Sequence, residues 1–362
     1  MHGGDIYTRK VDLDFSVNIN SYGVPERVLE AVKKSLEEAG HYPDIHQTRA
    51  RKSLATLENV DIESIICGNG ASELIMAVTR AVNPRKALII SPGFYGYIHA
   101  LKSICGSASF QAYDDIVVEY PLREENGFKL EEDILSYIDK VDMIYLTNPH
   151  NPTGRLIERD LLEKIIRASY DKGCAVLLDE CFLRLTESGE SISFKKYVKD
   201  FSNLYIIDAF TKLFAMPGVR AGYLVSCEEN IARVKSQLPE WNLSRASEEL
   251  LVVGAEEIQR SSFASESLEM ILEERAYLRK ELTSLGIYVN ESDTNFLLIK
   301  TGDERIDLYE KLLDRKILIR SAEDFRGLGK DWYRVAVRSH KDNLRLLEAV
   351  REEIWNIKNH SI

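Results

Sequence analysis

The sequence has 362 residues, of which 44% are hydrophobic and 29% are charged, a balance typical of a folded globular protein. This length exceeds what one compact core accommodates and favours two domains. The net charge of −11 disfavours nucleic acid or an anionic membrane surface as the main partner.

The N-terminal residues lack the apolar segment of a signal peptide, and no stretch approaches the roughly 20 apolar residues of a membrane-spanning helix. The five cysteines are scattered and form no Cys-X-X-Cys pair, so the sequence indicates neither a disulfide framework nor a zinc site. Free cysteines fit a reducing compartment. We therefore predict a cytoplasmic protein with no bound metal and no nucleic-acid or membrane partner.

Short β-rich segments alternate with helical patterns in the first two thirds of the chain. The predicted strands are Ser64–Cys67, Ala87–Ser91, Met143–Thr147, Ala175–Leu178, Leu204–Asp208 and Gly222–Ser226. Helical stretches such as Asp160–Asp171 lie between several of them. Because apolar strands that alternate with helices form βαβ units, the pattern predicts an α/β fold with a mostly parallel sheet flanked by helices.

The pattern changes after Trp241. Its elements are a long helical region at Ser247–Leu285, a strand at Thr294–Lys300, a helix near Ile306–Arg315, strands around Ile317–Arg320 and Tyr333–Val337, and a final helix. This order is typical of a smaller α+β domain. We expect an N-terminal arm and helix over residues 1–40 that pack with the small domain, a large domain over residues 41–243 and a small C-terminal domain over residues 244–362.

A glycine-rich turn lies between the first predicted strand and the helix after it. It reads Gly68-Asn69-Gly70-Ala71-Ser72-Glu73. Glycine lets the backbone approach a ligand closely, and a helix N-terminus offers free N–H groups to an anion. The turn lacks the third glycine of the dinucleotide fingerprint, which disfavours a nicotinamide dehydrogenase. Two interpretations stay open, a phosphate site and an ordinary strand–helix turn.

Polar side chains follow two further predicted strands. After Met143–Thr147 comes Asn148-Pro149-His150-Asn151-Pro152-Thr153-Gly154, whose two Asn-Pro steps fix a stiff loop that can present an Asn amide to a ligand. Asp179 and Glu180 come after Ala175–Leu178. Both segments lie where ligands bind in an open α/β sheet, at the carboxyl ends of its strands.

Lys212 follows the predicted strand Leu204–Asp208. An isolated lysine is usually a solvated surface charge. This one lies between an apolar strand and a Pro-Gly turn, and Arg220 follows eight positions later. A lysine in such surroundings can lose its proton and act as a nucleophile.

Together these segments resemble the fold-type I pyridoxal 5′-phosphate (PLP) enzymes of the class I/II aminotransferase superfamily, and they occur in that superfamily's order. The resemblance implies a PLP-dependent transferase fold and a PLP cofactor held as a Schiff base on Lys212. It implies that Asp179 keeps the pyridine nitrogen protonated and that Asn151 hydrogen-bonds the phenolic oxygen of the ring. The other implied cofactor ligands are Gly70, Ala71, Ser72, Thr211 and Arg220 around the phosphate, Phe94 stacked on the ring, and Tyr42 from a neighbouring subunit of a homodimer.

Two families of the superfamily compete: the threonine-phosphate decarboxylases of cobalamin biosynthesis and the histidinol-phosphate aminotransferases. The resemblance to the decarboxylases covers nearly the whole chain and is the closer one. Its marks are His2-Gly3-Gly4, Asp14-Phe15-Ser16-Val17-Asn18-Ile19-Asn20, Phe94, Phe182 and the segments around Arg320 and Arg334. The implied substrate ligands are His2, Gly3, Asn18, Asn151, Arg320 and Arg334. Arg334 is assigned to the α-carboxylate, and Arg320 and His2 to the substrate's phosphate, since the arginine fork binds two oxygens at once.

The sequence departs from the family pattern near the proposed site. Ala209 stands where relatives often have a phosphate-binding Ser, and Arg184 replaces an acid. We expect decarboxylation of a phosphorylated amino acid, and transamination of histidinol phosphate or another amino acid remains the alternative. A regulatory module that binds PLP without turnover is disfavoured, because the chain is acidic and has no basic recognition helix before Asp14.

Overall fold

A computed structural model describes residues 3–105 and 115–360, with side chains described as far as residue 355. The strands are β1 (Leu13–Asp14), β2 (Ile65–Asn69), β3 (Ala87–Ser91), β4 (Val117–Pro121), β5 (Met143–Thr147), β6 (Ala175–Asp179), β7 (Leu204–Asp208), β8 (Ala221–Val225), β9 (Tyr288–Val289), β10 (Phe296–Lys300), β11 (Ile317–Leu318), β12 (Arg320–Ser321) and β13 (Trp332–Ala336). The helices are α1 (Glu26–Ser35), α2 (Thr48–Glu58), α3 (Ala71–Val82), α4 (Tyr95–Ile104), α5 (Arg159–Asp171), α6 (Phe210–Leu213), α7 (Glu228–Lys235), α8 (Arg245–Arg260), α9 (Phe263–Ser284), α10 (Leu308–Asp314) and α11 (His340–His360).

The central sheet of the described chain has seven strands in the order β2-β8-β7-β6-β5-β3-β4. Strands β3 to β7 run parallel, whereas β8 pairs antiparallel with both β2 and β7. Alternate residues of a strand enter two separate hydrophobic clusters, as Ile144 and Leu146 do on one face and Met143 and Tyr145 on the other. Both faces are therefore covered, and the predicted α/β class with a mostly parallel sheet is confirmed.

An antiparallel sheet with the order β12-β13-β10-β9 lies in the C-terminal part, and a third hydrophobic cluster packs against it. The N-terminal arm joins this cluster through Phe15, and β1 pairs in parallel with β11. Helix α1 instead buries Val28 and Val32 in the cluster that also contains Leu250 of α8. The domain boundaries at residues 40 and 243 stay a prediction.

Two elements differ from the sequence-based expectation. Strand β4 was not predicted, and it pairs with β3 at the edge of the central sheet. The helical region predicted over Ser247–Leu285 is two helices, α8 and α9, because the extended backbone of Ser261 ends the first one. Within the described residues, no helix combines the length and the apolar character needed to span a membrane.

Candidate active site

A cavity of about 560 Å³ opens between the carboxyl ends of the parallel strands and the C-terminal sheet. Its walls include many of the residues that the sequence predicts. These are Gly3, Asn18, Phe94, Asn151, Lys212, Arg320 and Arg334, together with Phe182. Residues more than 300 positions apart thus line one site, because β12 and β13 face the ends of the central strands.

Lys212 lies in α6, directly after β7, and its Nζ atom is 5.6 Å from the centre of the Phe182 ring. Burial lowers the pKa of the Lys212 amine, and the positive charges of Arg334 and Arg220 act in the same direction. A lowered pKa increases the fraction of neutral amine at neutral pH. That neutral form is the one that attacks a carbonyl carbon.

Asp179 is the last residue of β6 and is buried. Its Oδ2 atom accepts a hydrogen bond from the Tyr97 hydroxyl at 3.0 Å, and its Oδ1 atom accepts one from the Cys181 amide at 3.0 Å. Burial raises the pKa of this carboxyl. The two hydrogen bonds orient the carboxylate without neutralising it, so it can pair with a cationic ring nitrogen.

The glycine-rich turn forms a cradle next to Arg220. Gly70 has a φ of +77° and precedes α3, whose first residues are Ala71 and Ser72. A Cβ atom at Gly70 would displace the Arg220 guanidinium, and the positive φ disfavours other residues, so glycine keeps the arginine close to the turn. The backbone N–H groups that begin α3 and the Arg220 guanidinium are groups of the kind that bind an anion, and the predicted phosphate site stays a prediction. Thr211 is buried, whereas Ser72 is exposed.

Arg334 carries a buried charge. Its Nη1 atom donates to Asn151 Oδ1 at 2.5 Å and its Nη2 atom to the Ser16 carbonyl at 3.0 Å, while Nε has no hydrogen-bond partner. Burial lowers the pKa of Arg334 to about 9, and the neighbouring charge of Arg320 acts in the same direction. Among residues 3–105 and 115–355, no carboxylate forms an ion pair with Arg334. An anionic ligand could supply the counter-charge and the hydrogen-bond acceptor that Arg334 lacks.

Arg320 contacts a carboxylate and an aromatic ring. Its Nη2 atom donates to both carboxylate oxygens of Asp324, at 2.7 and 2.9 Å, and its guanidinium lies 4.9 Å from the centre of the Phe325 ring. Asn18, also on the cavity wall, is buried and its Oδ1 atom has no hydrogen-bond partner. The cavity therefore offers two guanidinium groups and an amide side chain to a ligand.

The predicted residues Gly70, Ala71, Ser72, Asp179, Thr211 and Arg220 do not line the cavity itself, but Asp179 and Arg220 lie near enough to act on the charge of Lys212. Two other predicted residues are not part of this arrangement. His2 lies outside the described residues. Tyr42 is 82% exposed, packs 5.1 Å from the Trp241 ring and does not line the cavity. Its predicted role requires a neighbouring subunit and stays a prediction.

The sequence-based reasoning missed two residues that hold the predicted ones. Tyr97, which orients Asp179, lies one helical turn after Phe94 in α4, and that spacing could have indicated it. Asp324, which holds Arg320, lies in a loop with no periodic signal.

The model of the aminotransferase class I and II family matches residues 10–350 of this chain. The chain belongs to this family. It is a PLP-dependent enzyme, and three features of the structure fit that cofactor. They are the cradle at Gly70 and Arg220, the buried Asp179 carboxylate, and the Lys212 amine on the cavity wall.

Several similar proteins belong to the two families that the sequence suggested. The chain is 33% identical to the threonine-phosphate decarboxylase of Salmonella typhimurium, over 95% of this chain and 92% of the relative. It is 26% identical to a histidinol-phosphate aminotransferase of Methanosphaera stadtmanae, over 94% and 89%. The solved structure of the histidinol-phosphate aminotransferase from Clostridium acetobutylicum superposes with a TM-score of 0.85 at 31% identity, over 95% of this chain and 99% of that one.

Proposed function

We propose that the enzyme removes the α-carboxylate of L-threonine O-3-phosphate. The observation that carries this proposal is the pair of buried arginines, Arg320 and Arg334, on the wall that also contains Lys212. The charge of Arg320 adds to the electrostatic cost of burying Arg334, and a substrate with two anionic groups could contact both guanidinium groups. A phosphorylated amino acid has both a carboxylate and a phosphate. The relative from Salmonella typhimurium supports the same substrate.

In this proposal the two arginines fix the substrate. Arg334, held by Asn151 and the Ser16 carbonyl, binds the α-carboxylate, and Arg320, held by Asp324, binds the phosphate. Bidentate contacts of this kind restrain the orientation of a carboxylate as well as its position. We propose that this orientation decides which bond at the α-carbon breaks.

The cofactor, when bound, supplies an electron sink for a bond broken at the α-carbon. Asp179 would hold the ring nitrogen as a cation, and the residues around Gly70 and Arg220 would hold the phosphate. Phe94 and Phe182 make part of the cavity wall apolar, which favours the change from a charged carboxylate to neutral CO₂. Lys212 is the amine placed to return a proton to the α-carbon.

Transamination is the second candidate. The close superposition with a histidinol-phosphate aminotransferase at 31% identity supports it. The same arginine pair can also accommodate the two carboxylates of a dicarboxylic amino donor. In that case Lys212 would move the α-proton, and the carboxylate would stay on the substrate.

We further propose a homodimer in which Tyr42 reaches the neighbouring active site. The exposed aromatic pair Tyr42 and Trp241, with 82% and 51% of their surface accessible, supports a surface that a second copy covers. The cytoplasmic location and the role in cobalamin biosynthesis also remain proposals. Sedimentation of the cofactor-loaded enzyme would reveal a dimer, and a monomer at catalytic concentrations would contradict this proposal.

The test of the reaction uses PLP-loaded enzyme and O-phospho-L-threonine with no keto-acid acceptor. We expect sustained CO₂ release with no conversion of the cofactor to its amine form. Conversion to the amine form without CO₂ would contradict the decarboxylase and favour transamination. A Lys212→Ala variant serves as the control, since it retains the two arginines but lacks the amine, and it should release no CO₂.

A further inference from the structure

A second group of buried charged residues lies next to β6 and β7, the strands that carry Asp179 and precede Lys212. We name it the ion cluster. It consists of Glu58, Glu180, Arg184, Glu190, Lys195, Asp208 and Tyr223. It is absent from the cavity wall and takes no part in the contacts proposed for the substrate.

Lys195 is the centre of the ion cluster, and only 2% of its side chain is exposed. Its Nζ atom lies within ion-pair distance of all four carboxylates of the cluster. The distances are 2.6 Å to Asp208, 3.0 Å to Glu190, 3.4 Å to Glu58 and 3.8 Å to Glu180. A lysine this deeply buried is stable only because its charge is balanced.

Asp208 links Lys195 to the Lys212 segment. It is the last residue of β7, and its Oδ1 atom accepts the Ala209 amide at 2.7 Å, where α6 begins. Its Oδ2 atom accepts from Lys195 at 2.6 Å and from the Tyr223 hydroxyl at 2.8 Å. One carboxylate therefore fixes both the ion cluster and the first peptide of the helix that carries Lys212.

The ion cluster also acts on Asp179. Burial raises the pKa of Asp179, and the negative charge of Asp208 adds to that increase. Glu180 follows Asp179 directly, and its backbone N–H donates to the Ile207 carbonyl at 2.8 Å. A change in the charge balance at Asp208 therefore reaches the carboxylate assigned to the ring nitrogen.

The charges of the ion cluster are close to balance. It has four carboxylates and two cations, Arg184 and Lys195. Burial raises the pKa values of both Glu180 and Glu190, which brings the cluster nearer to neutrality. Loss of one cation would add one negative charge to the balance beside Asp179.

We propose that Lys195 is a positioning residue of the active site, which holds Asp208 against the start of α6 and offsets its charge at Asp179. This inference rests on the assignment of Lys212 as the lysine that carries the cofactor. The charged or titratable groups that act on Lys212 are Cys181, Arg334, Arg220 and Asp179. Lys195 is not among them, so in this inference its charge reaches Lys212 through Asp208 and Asp179. All four of those groups stay in place when Lys195 is substituted.

The test is an absorbance titration of the PLP-loaded enzyme, which gives the pH midpoint of the cofactor bound at Lys212. Lys195→Met keeps the length of the side chain and removes its charge. We expect the midpoint to rise by about half a pH unit or more, because the added negative charge favours protonated cofactor groups. Lys195→Arg should restore the midpoint to near the wild-type value.

Two further variants separate this role from a purely structural one. Lys195→Met/Asp208→Asn removes a charge of each sign and keeps an oxygen for the Ala209 amide, so we expect its midpoint near that of the wild type. Glu274→Gln is the stability control, since Glu274 is buried and accepts from Asn343 at 2.9 Å in the C-terminal part. It should lower the melting temperature and leave the midpoint unchanged.

An unshifted midpoint in Lys195→Met, with a melting temperature lowered as in the control, would overturn the inference. If Lys195→Met does not fold, Asp208→Asn carries the test: it removes the negative charge that Lys195 offsets, so the midpoint should fall, and a midpoint equal to that of the wild type would overturn the inference. A wild-type enzyme that takes up PLP without a bond to Lys212 would overturn the lysine assignment itself. Borohydride reduction and peptide mapping detect that outcome separately.

Discussion

The protein buries arginine in two regions with different partners. In the cavity, Arg334 contacts an amide oxygen and a carbonyl, and one of its nitrogens has no partner. In the ion cluster, Arg184 lies 2.5 Å from Glu58, 3.4 Å from Glu190 and 3.5 Å from Asp208. Both guanidinium groups are almost fully buried, so the difference lies in the charges around them and not in solvent access.

This comparison separates a binding site from a structural cluster. A buried cation without a counter-charge costs folding free energy, and an anionic ligand recovers that cost on binding. A buried cation among carboxylates is already balanced, and its removal leaves those carboxylates uncompensated. A substitution at Arg334 should therefore lower activity and leave stability intact. A substitution in the ion cluster should lower stability and affect substrate binding much less.

Arg334→Gln should have the largest effect. We expect kcat/KM for the phosphorylated substrate to fall about 100- to 1,000-fold, since a buried charge–charge contact is lost. The melting temperature of the enzyme without substrate should not fall, because an unbalanced buried charge is removed. Steady-state kinetics and a thermal melt measure the two quantities. A melting temperature lowered by several degrees would contradict the view of Arg334 as an unbalanced charge.

Arg184→Met is the matched variant in the ion cluster. We expect the free energy of unfolding to fall by about 3 kcal/mol, because Glu58 and its neighbours lose a buried counter-charge. Substrate affinity, measured as KM, should change much less than in Arg334→Gln. Denaturant unfolding measures the loss. A stability equal to that of the wild type would mean that the cluster gains nothing from this charge.

Gly70→Ala tests the cradle at Arg220, which, like Arg334, forms no ion pair in the described part of the chain. The Cβ atom of alanine at position 70 would meet the Arg220 guanidinium, so we expect the dissociation constant for PLP to rise about tenfold. Gly302→Ala is the control, since Gly302 has a similar φ of +75° and nothing within 4 Å. Absorbance titration with PLP distinguishes the two. Equal losses of affinity would attribute the effect to backbone strain alone.

His150 shows how the protein buries a titratable group without any counter-charge. Burial lowers the pKa of His150 to about 3 from its ordinary value of 6.5, so the folded protein keeps it neutral. Between these values the unfolded chain binds the extra proton, and stability therefore falls as pH falls below 6.5. His150→Gln should reduce the stability lost between pH 7 and pH 5.5 by about 1 kcal/mol.

The elements that the sequence predicted best are the buried parallel strands. The bounds of β3, β5 and β7 agree with the prediction, because each strand is a continuous apolar run that ends at a polar residue or a turn. Strand β4 was missed, since its exposed edge position leaves no such run. The break between α8 and α9 was missed because two serines interrupt an otherwise continuous helical pattern.

The site was predicted in part. Asp179 ends a strand, and Gly70, Asn151 and Lys212 each follow one, so local sequence indicated them and the sheet brings them to one edge. The contact between Arg334 and Asn151 joins residues 183 positions apart, and no local pattern encodes it. The same holds for Tyr97 and Asp179, which are 82 positions apart.

By itself, the sequence determined the fold class, the family and the lysine that we assign to the cofactor, because strand periodicity and short motifs are local properties of the chain. The tertiary structure alone decided which buried charges are balanced. Lys195 and Arg334 are both basic residues, and the sequence offers no sign that four carboxylates surround the first and that none pairs with the second in the described chain. Charge balance depends on distances between segments that are remote in sequence, and only the packed fold sets those distances.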